Sequence, residues 1–175
     1  VGAFAELYIG GWMNGRYMRE MDPADYVDSV AAYLGREADQ EFAAACAIAQ
    51  EKAQTLAEVW PLIRFLYEPP LDDEKAWRKV MKGEAGSVLD AAAAALGELD
   101  GFSREQVEGA LSPIPERLGL KPGKVYQPIR VAITGTTVSP GIFESVSALG
   151  SERTLARIEV ARGRIVTTTD ESANS

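Results

Sequence analysis

Apolar positions along this chain recur at helical spacing, and almost nowhere do they alternate with the period of two that a half-buried strand requires. Tyr26, Val27, Val30, Ala31 and Leu34 form one such stripe. It is opened by Asp22-Pro23, an N-cap followed by proline at the first helical position, and it ends before Gly35. Residues 39–54, rich in alanine, predict a second helix. Thr55-Leu56-Ala57-Glu58 has the form of a capping box and predicts a helix that runs through Tyr67 and stops at Pro69-Pro70. A short helix over 73–82 should turn Trp77, Val80 and Met81 inward.

Beyond Gly83 the pattern restarts. Residues 87–99 predict a helix, Ser103-Arg104-Glu105-Gln106 a second capping box, and Pro113 and Pro115 an interruption. A further helix is expected over 124–134, and Ser139-Pro140 should cap and open the next, through Leu149. Ser151 then caps a last amphipathic helix, with Leu155, Ile158 and Val160 facing inward and Arg153, Arg157 and Arg162 facing out. Only 165–169 has strand composition, and it has no partner strand. The expectation is an all-α fold of two consecutive helical bundles, 1–82 and 83–163 with the break at Gly83, and a polar segment 164–175 without a core and disordered.

Composition and charge narrow the function. The hydrophobic content of 46% is enough to build a real core. No apolar run approaches the roughly 20 residues needed to cross a bilayer, so a soluble, cytoplasmic protein is expected, and the start at Val1 suggests a fragment. With no histidine in the chain, histidine triads and histidine metal ligands are excluded. No Walker-type loop or GxGxxG turn offers to cradle phosphate. The net charge of −8 speaks against nucleic acid at first sight. It is unevenly spread: between Arg117 and Arg164 eight basic residues face three acidic ones, a local +5, so the remainder carries −13. An acidic body with a basic C-terminal patch can bind RNA locally.

Candidate chemistry is sparse. Cys46, inside an apolar stretch, reads as a small buried hydrophobe rather than a nucleophile. Acidic pairs such as Asp72-Asp73 are solvated helix ends. The Trp12-Met13-Asn14-Gly15-Arg16-Tyr17 cluster reads as a packing corner. Gln127-Pro128-Ile129-Arg130, followed by Gly135 and Ser139-Pro140-Gly141-Ile142, is the sharpest candidate. Arginine supplies a planar fork for a base edge or a phosphate, and a Gly/Pro turn lets the backbone approach a stacked base. The competing reading of Arg130 is an interhelical salt bridge.

Residues 119–135, GLKPGKVYQPIRVAITG, followed by Ser139-Pro140-Gly141-Ile142-Phe143-Glu144 and by 149–158, resemble the C-terminal signature of bacterial glutamyl-tRNA synthetases. The segment from Trp12 to Arg19 is similar to the stretch that follows their catalytic core, so the resemblance spans residues 4–162. It implies two helical domains of the class I synthetase anticodon-binding type. The family's ATP-binding HIGH and KMSKS motifs are absent, so it implies a non-catalytic part whose partners are tRNA(Glu), with tRNA(Gln) as a second candidate, and a separate N-terminal catalytic domain. ATP and magnesium would be cofactors of the whole ligase, with none in this part, and a monomer is expected. Position by position, Arg130 matches the arginine that meets anticodon bases, Ser139 a Ser or Thr that hydrogen-bonds one, and Ile142 an apolar residue that packs on one. Lys52 stands where the family has an arginine that reads the last anticodon base, and lysine lacks the bidentate fork. The alternative function is a helical protein–protein interaction module that uses the basic patch without RNA. An independent enzyme lacks any nucleophile–base pair.

Overall fold

The computed structural model describes the backbone of residues 15–173 and the side chains of 15–166. Trp12, Met13 and Asn14 of the aromatic cluster therefore lie outside the described residues. Among the described residues there is no strand, and the chain forms two compact units that divide between Tyr67 and Glu68.

In the first unit α1 (Gly15–Glu20), α2 (Pro23–Leu34), α3 (Gln40–Gln50) and α4 (Leu56–Ile63) are followed by a 3-10 turn, Arg64–Leu66. The predicted punctuation of α2 is present. The Asp22 carboxylate accepts from the Ala24 amide, and Gly35 ends the helix at φ 64°, a left-handed conformation that glycine adopts without steric cost. Asp39 caps α3 through the Phe42 amide at 2.7 Å. The expected capping box at Thr55 is not formed, since its hydroxyl caps nothing; Glu58 accepts instead from the Gln54 amide at 2.8 Å. Helices α2, α3 and α4 pack on one another around Tyr26, Val30, Phe42, Cys46, Val59 and Ile63. Full burial of side chains of this size is worth about 1.5–3 kcal/mol each.

The second unit holds α5 (Glu74–Val80), α6 (Ala85–Gly97), α7 (Arg104–Leu111), α8 (Ile114–Leu118), α9 (Pro122–Thr134), α10 (Ile142–Leu149) and α11 (Ser151–Ala173). Helix α6 packs against α7, α8, α9 and α11, and its alanines bring the backbones close. Leu89, Leu96, Leu111, Ile114, Ile129, Ile133, Leu149 and Ile158 fill the core. The Ser103 capping box is complete in both directions. Pro113 separates α7 from α8 as expected.

Three expectations are corrected. Gly83 turns the chain between α5 and α6 at φ 59°, but α5 packs on α9, so the boundary falls at Pro69-Pro70's doorstep and not at Gly83. The segment 164–175 was expected to be disordered, yet α11 continues without a break through Ala173, taking in the 165–169 stretch of strand composition. Along α11 the buried stripe is Thr154, Ile158 and Ala161, while Val160 is 74% exposed.

Candidate nucleic-acid interface

Helix α9 is the backbone of the site. Proline at its first helical position fixes φ where no amide hydrogen is needed, and Val125, Ile129, Ala132 and Ile133 bury its inner side. Arg130 and Gln127, three residues apart, emerge half-buried on the same side.

The C-terminus of α9 is tied down by three hydrogen bonds, and a fourth joins one of the donors to the segment preceding α5. Gly135 closes it at φ 78°, its amide donating to the Val131 carbonyl at 2.8 Å. The Leu71 amide donates to the Thr134 carbonyl at 3.0 Å. Arg157 donates from Nη1 to the Ile133 carbonyl at 2.6 Å and from Nη2 to the Glu68 carbonyl at 3.0 Å. Carbonyls that a helix end leaves orphaned are thus satisfied from the chain segment preceding α5 and from α11. This corrects the expectation that Arg157 faces out. It lies one helical turn from Thr154 and Ala161 on the buried stripe, and its fork matches two convergent carbonyls.

From this fixed end the chain runs through a tight loop to α10. Thr134 Oγ1 accepts from the Thr136 amide at 3.1 Å, and Thr136 Oγ1 donates to the Val138 carbonyl at 2.7 Å. The loop delivers Ser139, almost fully buried, to Arg130: Nε of Arg130 donates to Ser139 Oγ at 2.8 Å, and Ser139 Oγ donates to the Pro140 carbonyl at 2.8 Å. Ser139 therefore does not cap α10, as its sequence position suggested; its hydroxyl is engaged elsewhere and Gly141 takes the N-cap place.

Arg130 stands out electrostatically. Burial pulls its pKa below the ordinary arginine value, yet a guanidinium in a protein stays charged. Among the described residues no carboxylate faces it, and the only hydrogen-bond partner of its guanidinium is the neutral Ser139 hydroxyl. The salt-bridge reading of Arg130 is therefore set aside. Its two Nη groups remain available to an acceptor.

Several of the other basic residues are occupied. Arg162 pairs with Asp90 at 2.5 Å and Glu159 at 2.6 Å; Arg164 pairs with Asp72 and Glu74 and lies over the Trp77 ring at 4.0 Å. Arg153 donates to the Leu149 carbonyl at 2.9 Å. Arg104 bridges Glu108 and Glu144. Burial works against the Glu144 carboxylate, but hydrogen bonds and the Arg104 charge outweigh it and hold its pKa below the ordinary value. Half of the eight basic residues of the stretch seen in the sequence, Arg153, Arg157, Arg162 and Arg164, are thus engaged within the fold.

Arg130 and Ser139 are brought together. Ile142 is close in the chain but 6% exposed, leaving little surface for a ligand. The exposed apolar residue of the loop is Val138, at 56%, which the sequence pattern did not single out; its one signal was the Thr/Ser-rich turn composition around it. Lys52 belongs to the first unit, where it is exposed in the turn after α3 with its amide donating to the Ala49 carbonyl at 3.0 Å.

Comparison with known proteins bears on this geometry. The chain is 39% identical over 161 residues to the glutamate–tRNA ligase of Mycobacterium marinum, covering 87% of this chain and 33% of that protein. It is 36% identical over 166 residues to that of Salinispora tropica, covering 87% and 36%. The chain thus spans about a third of the length of these relatives. A crystal structure of a glutamate tRNA ligase from Elizabethkingia meningosepticum superposes with a TM-score of 0.71 at 24% identity, over 87% of this chain and 31% of that one, and shows the same fold. The sequence model of the anticodon binding domain matches residues 24–162, which take in α9, its loop and most of both units. By that match the chain belongs to the anticodon-binding domain family.

Proposed function

We propose that this chain is the anticodon-reading part of a glutamate–tRNA ligase, holding tRNA(Glu) so that a catalytic domain of the whole enzyme can join glutamate to its acceptor end. The observation that carries the proposal is the half-buried Arg130 charge with no carboxylate partner among the described residues. Burying a charge costs several kcal/mol unless it is compensated. A polar, anionic ligand offers that compensation, and Ser139 fixes the plane of the fork before the ligand arrives. A base edge can then be met in bidentate fashion. Val138, next to Ser139 in the chain, offers an exposed apolar surface, and the buried Ile142 opens α10.

The names of the relatives favour tRNA over the protein-interaction module. Lys52 is proposed as an RNA contact of the first unit. Because it provides a point charge and not a fork, discrimination of tRNA(Gln) from tRNA(Glu) should be relaxed. ATP and magnesium are proposed for the whole ligase only. No residue of this chain is assigned to either. The whole enzyme is proposed to act in the cytoplasm, as a monomer.

The test is binding of the 175-residue chain to the anticodon stem-loop of a glutamate tRNA, beside a loop with altered anticodon bases. Preference for the cognate loop and a loss of about 1–3 kcal/mol on Arg130→Ala are expected. Equal binding of both loops with no effect of Arg130→Ala would return the protein-interaction module to first place.

A further inference from the structure

We infer that Lys121 and Lys124 hold the phosphate backbone of the RNA strand whose base Arg130 meets. This rests on the anticodon reading above, but the observations that lead to it are separate from Arg130.

On α9 the residues Lys121, Lys124, Gln127 and Arg130 follow one another at intervals of three. Lys121 stands at the N-cap, and the other three lie on the helix. Residues so spaced are neighbours on a helix surface and form an inclined row. The two lysines are exposed, Gln127 and Arg130 half-buried, and the positions turned away from the row, Val125, Ile129 and Ala132, are buried. At 1.5 Å rise per residue the row is about 14 Å long, enough to accompany a short run of nucleotides.

Like Lys75, Lys79 and Lys82 on and after α5, the two lysines of the row are exposed and have no ion-pair partner among the described residues, whereas many of the arginines are engaged. The arginines of α11 are committed to carboxylates, backbone carbonyls or an aromatic ring, and Arg104 to two glutamates. Among the described residues Lys121 and Lys124 have no ion-pair partner. The first turn of α9 contains no acidic residue, so the positive end of the helix dipole adds to their field. Arg117 is exposed as well but stands beside Glu116 on α8 and off the row. In a chain of net charge −8, an unneutralised cationic row ending at a ligand-seeking arginine fits a polyanion. The division of labour follows: the lysines, as point charges, attract phosphate without regard to sequence, while Arg130 reads a base.

The experiment measures affinity of the chain for the cognate and altered stem-loops over a series of salt concentrations. The variants are Lys121→Gln/Lys124→Gln, the charge-matched Lys75→Gln/Lys79→Gln on α5, and Arg130→Ala. Loss of two phosphate contacts should flatten the slope of log affinity against log salt by roughly 1.4–1.8. Binding of both loops should weaken by the same factor, leaving their ratio unchanged. The α5 pair should leave the slope near that of the parent chain, and Arg130→Ala should collapse the ratio. A Lys121→Gln/Lys124→Gln slope equal to that of the parent, or to that of the α5 pair, overturns the inference. If the parent chain shows no cognate preference, the anticodon reading fails; the slopes measured with either loop still decide the role of the lysines.

Discussion

Arg130 shows how much can rest on the shape of one side chain. Arg130→Lys keeps the charge and loses the fork, so the chain should keep its salt-dependent affinity and lose most of its preference among anticodon bases, in side-by-side titrations. Ser139→Ala frees Nε without removing the charge and should cost about 0.5–1.5 kcal/mol of loop binding. Cys46 makes the opposite case. It is fully buried, and burial pushes its thiol up to about 12, so at neutral pH it carries almost no thiolate. A thiol reagent should modify Cys46 only at the rate of unfolding, which labelling across a denaturant series would measure. The burial of Cys46 could be read from its apolar neighbours, and the hydrogen bond between Arg130 and Ser139 joins two positions that the family resemblance singles out. The exposure of Val138 and the burial of Ile142 could not be read. Their exposure turns on whether Ser139 or Gly141 takes the N-cap place, a two-residue difference that swings Ile142 into the core, and local patterns do not resolve helix ends so finely.

At the scale of elements, the ends of helices decide more than their middles. The Ser103 box was legible because both partners lie within one turn; Ser103→Ala should cost about 0.5–2 kcal/mol in chemical denaturation. The end of α9 was not legible, because its partners come from distant segments. Gly135→Ala meets two penalties there: φ 78° is unfavourable for any side chain, and a Cβ would collide with the backbone of Leu71. It should destabilise the second unit by more than about 2 kcal/mol. The inward turn of Arg157 was likewise hidden, since charged residues are exposed by default. Between α7 and α10, Glu144 joins Arg104 at 2.7 Å. Its folded pKa is depressed, so the stability it contributes is present above the ordinary glutamate range near 4.3 and fades as pH falls through the lower folded value. Arg104→Gln should remove that part of the acid sensitivity in a pH series of melting curves.

For the molecule as a whole, the sequence pattern was a good guide to fold class and a poor one to domain limits. Helical periodicity is a property of each segment, whereas a domain boundary depends on which segments meet. Nothing near Gly83 announces that α5 will settle on α9. Since the second unit has its own core, residues 68–175 produced alone should give a cooperative helical melt, followed by circular dichroism. The charge pattern misled in a similar way: half of the eight basic residues between Arg117 and Arg164 serve the fold, and three of the other four belong to α9 or its N-cap.

Arg157 sets an order of events. It sits on the last helix, and its hydrogen bonds reach back 24 residues to Ile133 and 89 residues to Glu68. During synthesis the chain emerges from its N-terminal end, so α9 and its loop leave the ribosome before the residue that fastens them. A nascent chain ending at Gly150 should therefore already contain Arg130 and Ser139 yet cleave readily within the loop under limited proteolysis, and become resistant once α11 has followed. On the proposed function, recognition of RNA would then be acquired only after the second unit is almost entirely made, and a half-built chain would not engage tRNA.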